Sequence, residues 1–204
     1  MKLILFLLIS CGAVAFAQQS EYGMPQSEQG SPVEYQQNTN SADFSDYQSN
    51  YKLRQDRKLG AGVSVGGALG GLGGFVELNI EDVNSTIAGF GSGPGYQTFA
   101  IAWKQSFEGE YFTPYTTLGY AHWWKTGSTA QVNRSALLKN FLSDRERAKN
   151  DFGLDLVTGS LGMQYNQLSG DLAGSSFYIE LGGLLSAQNT KLMPTGAVGA
   201  LYYF

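Results

Sequence analysis

His122 is the only histidine among the 204 residues, and so the only side chain ordinarily poised to act as a general base near neutral pH. One histidine and one cysteine (Cys11) are too few donors for a zinc site, so no metal or cofactor is expected. The run Gly60-x-Gly62-x-x-x-Gly66-Gly67 has the glycine density of a phosphate loop. That loop needs a helix amino-terminus to receive the anion, and here a second glycine-rich segment follows instead. Close packing between strands accounts better for the glycines. Three charged residues, Glu77, Lys104 and Glu180, stand singly among small and apolar neighbours. What they do depends on the face each occupies.

The elements that would position these residues begin after a leader. Residues 1–17 read as a secretory signal: Lys2, an apolar stretch, then Ala15-Phe16-Ala17 before Gln18. Leu8-Ile9-Ser10-Cys11 also has the form of a lipobox, but the residues after Cys11 stay apolar up to Ala17, which favours cleavage after Ala17. Cleavage there removes the only thiol. Residues 18–58, rich in Gln, Ser, Asn and Tyr and poor in Leu, Ile and Val, are expected to be a disordered periplasmic tail, because they cannot bury enough apolar area to order themselves. Its tyrosines (Tyr22, Tyr35, Tyr47, Tyr51) mark either a plain linker or an interaction segment. Lys52, Arg54, Arg57 and Lys58 close it, as a solvated cluster or one that meets anionic head groups. The net charge of -4 supplies no basic footprint for nucleic acid.

Residues 59–204 divide at their Gly, Pro and Asn-rich turns into eight stretches of period two: 59–68, 74–80, 85–91, 96–107, 115–124, 153–165, 175–187 and the terminal 194–204. The third is the least regular. No stretch approaches the length of a membrane-spanning helix, so any span must be made of strands. Pro94, Pro114 and Pro194 fall at turns or strand starts. The phases put Phe99, Ile101, Trp103, Phe177, Ile179, Leu181 and Leu185 on one face, with Val76, Leu78 and Ile80. Lys104, Glu77 and Glu180 then share the other face, with Asn79 and Tyr178. Unpaired charges in an interior cost several kcal/mol each, so a mutual network is expected: a polar plug, or the lining of a gated ion path. His122 and Asp155 come out on neighbouring strands at similar height.

The closing stretch, PTGAVGALYYF, resembles the last strand of bacterial outer-membrane β-barrels, whose terminal aromatic residue is read by the insertion machinery of that membrane. With TPYTTLGYAHW (residues 113–123) and the strand count, residues 59–204 resemble the eight-stranded barrels of the outer-membrane protein A and protein X class. The resemblance implies an all-β, antiparallel up-and-down barrel in the outer membrane of a Gram-negative envelope, with Tyr202 and Phe204 as the insertion signal. Its expected partners are outer-membrane lipids, lipopolysaccharide and the insertion machinery; a surface or periplasmic partner is left unidentified.

With the carboxy-terminus in the periplasm, aromatic residues sort to two levels. Phe75, Phe90, Tyr96, Trp123, Trp124 and Phe152 fall at outer strand ends. Phe107, Tyr111, Phe112, Tyr115, Tyr165, Phe177, Tyr178, Tyr202, Tyr203 and Phe204 fall at periplasmic ends, and Phe99 and Trp103 lie between. Trp103, Trp123 and Trp124 are read as interfacial. In the long outer connection, 125–152, Leu138, Phe141 and Leu142 have helical spacing, followed by Arg145, Arg147 and Lys149. That segment either docks a partner or packs on its own barrel. The functional expectation is a non-enzymatic scaffold with a structural or surface-interaction role. The alternatives are a narrow pore or a lipid A-modifying enzyme. His122 resembles the histidine of outer-membrane lipid A deacylases, but Trp124 stands where they carry serine, so the nucleophile is missing.

Overall fold

The structure, a computed structural model, describes residues 47, 49–126, 138, 142, 152–188 and 190–204. The expected signal, Cys11 and most of the expected tail lie outside the described residues. The described chain opens on a short helix, α1 (Asn50–Asp56). Eight strands follow: β1 (Leu59–Gly66), β2 (Leu72–Asn79), β3 (Asn84–Gly93), β4 (Tyr96–Ser106), β5 (Phe112–Lys125), β6 (Gly153–Asn166), β7 (Ser175–Ser186) and β8 (Leu192–Tyr203).

Each strand pairs antiparallel with the next, and β1 pairs with β8 from Gly60↔Tyr203 to Gly66↔Ala197, so the sheet is a closed up-and-down barrel. This is the expected fold. The irregular third segment forms a full strand of 10 residues. Strands β5 and β8 start earlier than expected, so Pro114 and Pro194 lie inside them rather than at their starts.

The barrel has two unlike ends. The helix α1, the β2–β3, β4–β5 and β6–β7 connections and the carboxy-terminus share one, called here the terminal end. The other four connections form the loop end. Side chains alternate along every strand as backbone pleating requires. Leu181, Leu161 and Leu118 are 71%, 68% and 66% exposed on the outside. The expected outward residues Ile101, Trp103, Phe177, Ile179, Val76 and Leu78 are exposed, while Glu77, Asn79 and Lys104 are buried inside.

At the loop end, Gly66, Gly67 and Gly70 have positive φ (90°, 67° and 80°) and bend the chain into a 3-10 turn, Gly67–Leu69, over the barrel mouth. A side chain at Gly66 would be strained in φ, and its Cβ would meet Gly196 O at 2.3 Å. These glycines shape a single 3-10 turn and do not open an α-helix of the kind a phosphate loop requires.

The residues just before β1 depart from expectation. They do not remain a disordered tail up to residue 58. Ser49 caps α1 by accepting from Lys52 N, and the helix buries Asn50, Leu53 and Arg54 against the terminal end. Seven residues have little helicity of their own; burial of Leu53 in the barrel core supplies the stabilisation that composition lacks. Nor do Lys52, Arg54 and Arg57 form a free cluster before β1. Arg54 is inside the barrel, Lys52 pairs with Asp56 at 3.0 Å, and Arg57 is tied to the barrel rim.

Candidate functional site

The barrel interior is the most heavily constructed region, and it has two layers. The polar layer lies towards the terminal end and is organised on Glu77. Its carboxylate accepts from Lys104 Nζ at 3.1 and 3.0 Å and from Ser85 Oγ at 2.8 Å. Arg54 Nη2 of α1 approaches the same carboxylate at 3.6 Å, and Arg54 Nε donates to Asn79 Oδ1 at 3.0 Å. Lys104 also donates to Gln164 Oε1 at 2.6 Å and stands 4.6 Å from the centre of the Tyr115 ring. Gln164 donates in turn to Asn166 Oδ1 at 2.7 Å and to the Tyr203 hydroxyl at 3.1 Å. Asn50 of α1 donates to Thr113 Oγ1 and to Gly109 O. Glu77, Lys104 and Gln164 come from β2, β4 and β6, on opposite sides of the lumen, so this network crosses it.

Glu180, expected in the same network, is half-buried and held elsewhere: its Oε2 accepts from Tyr115 and from Ser160, each at 3.2 Å. Sequence reasoning missed Arg54 because the composition of its segment reads as unstructured. The signal available was the cation's position just before β1.

The second layer is apolar and lies towards the loop end. Tyr96 and Trp123 stack with centroids 4.8 Å apart, and Trp123 Nε1 donates to Ala68 O at 2.9 Å. Leu69, Phe75, Phe152, Leu154, Leu156 and Leu184 pack around them. A void of about 80 Å³ remains between the layers, bordered by Phe75, Tyr115, Tyr178 and Glu180.

This layer corrects the expected aromatic girdles. Trp123 is 0% exposed, and Phe75, Tyr96, Tyr115, Phe152 and Tyr203 are also buried, so these rings fill the lumen. Adjacent residues on a strand face opposite sides, so Trp123 and Trp124 cannot both be interfacial. Trp103, Phe90, Phe107, Tyr111, Phe112 and Phe177 are exposed, and Trp124 and Tyr165 are half-buried. Leu138 and Leu142 are buried in the same core, so Leu138 is not an exposed docking residue. Phe141, Arg145, Arg147 and Lys149 lie outside the described residues.

Tyr202 and Phe204 are exposed, with ring centroids 6.4 Å apart. Arg57 donates to Tyr202 OH, Tyr47 OH, Ala173 O and Tyr203 O at 2.7–3.1 Å, joining the segment before β1 to the closing strand. Burial would lower its pKa, but the bonds to Tyr202 and Tyr47 outweigh that and raise it.

On the outside, near the loop end, His122 and Asp155 are direct cross-strand partners, with Nδ1 and Oδ1 2.8 Å apart. Tyr120 OH donates to the same oxygen at 2.5 Å, and Gln188 Nε2 donates to Asp155 Oδ2 at 3.0 Å. Trp124 stacks on His122 with ring centroids 5.8 Å apart.

No family model matches the sequence, and no curated protein matches it. Among solved structures, the crystal structure of the N-terminal β-barrel domain of Pseudomonas aeruginosa OprF is similar, with 13% identity and a TM-score of 0.42. The match covers 70% of this chain and 97% of that one.

Proposed function

We propose that the protein is a non-enzymatic barrel of a bacterial outer membrane, a sealed scaffold with a structural or surface-interaction role. The carrying observation is the inversion of a soluble barrel: a closed sheet with an apolar exterior around a polar and aromatic interior. Soluble monomers rarely expose contiguous apolar surface on this scale. A closed barrel pairs the backbone of every strand, as a hydrocarbon environment demands. The longer strands, of 11–14 residues, suffice to cross it when tilted.

In this reading the terminal end faces the periplasm. Membrane lipids and lipopolysaccharide contact the belt, and the insertion machinery reads Tyr202 and Phe204. The lumen is closed twice, by the Glu77 network and by the Tyr96–Trp123 layer, which argues against a pore. Trp124 beside His122 argues against acyl transfer. Cell fractionation with heat-dependent gel mobility tests the proposal. The expected result is an outer-membrane protein whose unboiled and boiled bands differ; a soluble protein with one mobility would refute it. Planar bilayers containing the protein should show no stepwise conductance.

A further inference from the structure

The helix α1 is held less well than the network it covers. The Glu77 carboxylate is satisfied from the strands alone, by two bonds from Lys104 and one from Ser85. Arg54 of α1 adds only an approach of 3.6 Å through Nη2, beyond hydrogen-bond reach. Four buried side-chain nitrogen or oxygen atoms among the described residues have no hydrogen-bond partner in the protein. Three of the four, Asn50 Oδ1 and both Arg54 Nη, belong to α1. Each opposes docking, and each is satisfied again once the helix meets bulk water. Docking is favoured by Leu53 in the core, by Arg54 Nε on Asn79, and by Asn50 on Thr113 and Gly109 O. The opposed contributions are comparable, because an unpaired buried polar atom costs at least what one hydrogen bond contributes.

The ends of this segment are pinned separately from its middle. Arg57 O accepts from Asn79 Nδ2 at 3.0 Å, and Lys58 O accepts from Asn79 N at 2.8 Å. The Arg57 guanidinium donates to Ala173 O and Tyr203 O on the rim and, through Nε, to Tyr47 OH. Tyr47 N donates to Leu168 O at 2.8 Å. Both ends of residues 47–57 therefore sit at one place on the rim. The helix between them can lift without disturbing the pairing of β1 with β8. At the other end the Tyr96–Trp123 layer, anchored on Ala68 O, is independent of α1.

We infer that α1 is a strap that lifts from the terminal end of the closed barrel, opening the polar layer around Glu77 to water while the loop end stays shut. The lumen is then a vestibule with one mouth, neither a pore nor a solid plug. This goes beyond the scaffold reading, in which both seals are fixed, and needs only the closed barrel.

The test is thiol access in the full chain in detergent, with Cys11→Ser removing the only cysteine. Ser85→Cys places a thiol beside Glu77 at the terminal end, and Thr98→Cys places one beside Leu69 in the loop-end layer. Both positions are 0% exposed. Water-soluble 2-aminoethyl methanethiosulfonate should modify Ser85→Cys about ten-fold faster than Thr98→Cys, or more. Adding Leu53→Ala, which weakens docking, should speed modification of Ser85→Cys about ten-fold further and leave Thr98→Cys unchanged. Hydrogen exchange reads the native chain without any variant. There the Leu53 and Arg57 amides should exchange about a hundred-fold faster than that of Asn79, or more. Equal reactivity of the two thiols, whether both are silent or both react, overturns the inference. So does Leu53→Ala without effect when the heat-dependent gel shift confirms folding, or exchange at Leu53 and Arg57 no faster than at Asn79. These failures with an intact gel shift count against the strap alone; loss of the shift in the native protein counts against the barrel reading.

Discussion

Replacing Lys104 by Met tests whether Glu77 organises the lumen. Met nearly preserves the volume of Lys, so the cavity contribution is small and the loss is electrostatic. It removes two hydrogen bonds to Glu77, one to Gln164, and the contact with the Tyr115 ring. Breaking a buried ion pair costs about 3–5 kcal/mol. Arg54 and Ser85 remain beside Glu77, which places Lys104→Met at the lower end, about 3 kcal/mol. Glu77→Gln leaves both Lys104 and Arg54 without a carboxylate, and belongs near the upper end, about 5 kcal/mol. With a urea slope of about 2 kcal/mol per M, the midpoints should fall by roughly 1.5 M and 2.5 M. The double variant should lose less than the sum, because the second change removes what the first left unpaired. Urea unfolding of the refolded protein, followed by tryptophan fluorescence, measures all three, since Trp123 is inside the barrel. Equal or reversed costs for the two single variants would refute the central position of Glu77; unmoved midpoints would refute the network.

Leu53→Ala should cost about 2–4 kcal/mol by the same assay, because Leu53 is buried in the barrel core; no change would restore the linker reading of residues 47–58. Trp123→Ala should cost about 3–5 kcal/mol and Trp124→Ala much less, since one ring fills the lumen and the other lies outside. Comparable losses from both would mean that the face assignment of β5 is wrong. Gly66→Ala should cost at least about 1 kcal/mol through its positive φ and the contact with Gly196 O, whereas Gly159→Ala should be neutral or stabilising.

How much of this was legible in the sequence differs from residue to residue. Glu77, Lys104 and the outward faces of β4 and β7 could be read from alternation alone. The aromatic rings were misassigned because their height along a strand was weighed without their face. Tyr115 and Tyr203 stand at the level of a girdle and yet point inward, where an interior filled by side chains takes large rings. Asp155 was recognised at the height of His122, but its hydrogen bonds to Tyr120 and Gln188 depend on the β5–β6 register and on the β7–β8 turn.

The sequence by itself determined the number of strands and which side chains share a face, because pleating of the backbone makes those properties local. Only the tertiary structure decided what meets inside. Arg54 reaches Asn79, 25 residues away, and Lys104 reaches Gln164, 60 away, because closure of the sheet brings together residues that have no local reason to interact. Closure also decided the state of α1: its residues are too few and too polar to order alone, and they become helical where the barrel end offers Leu53 an apolar site and Arg54 a carboxylate.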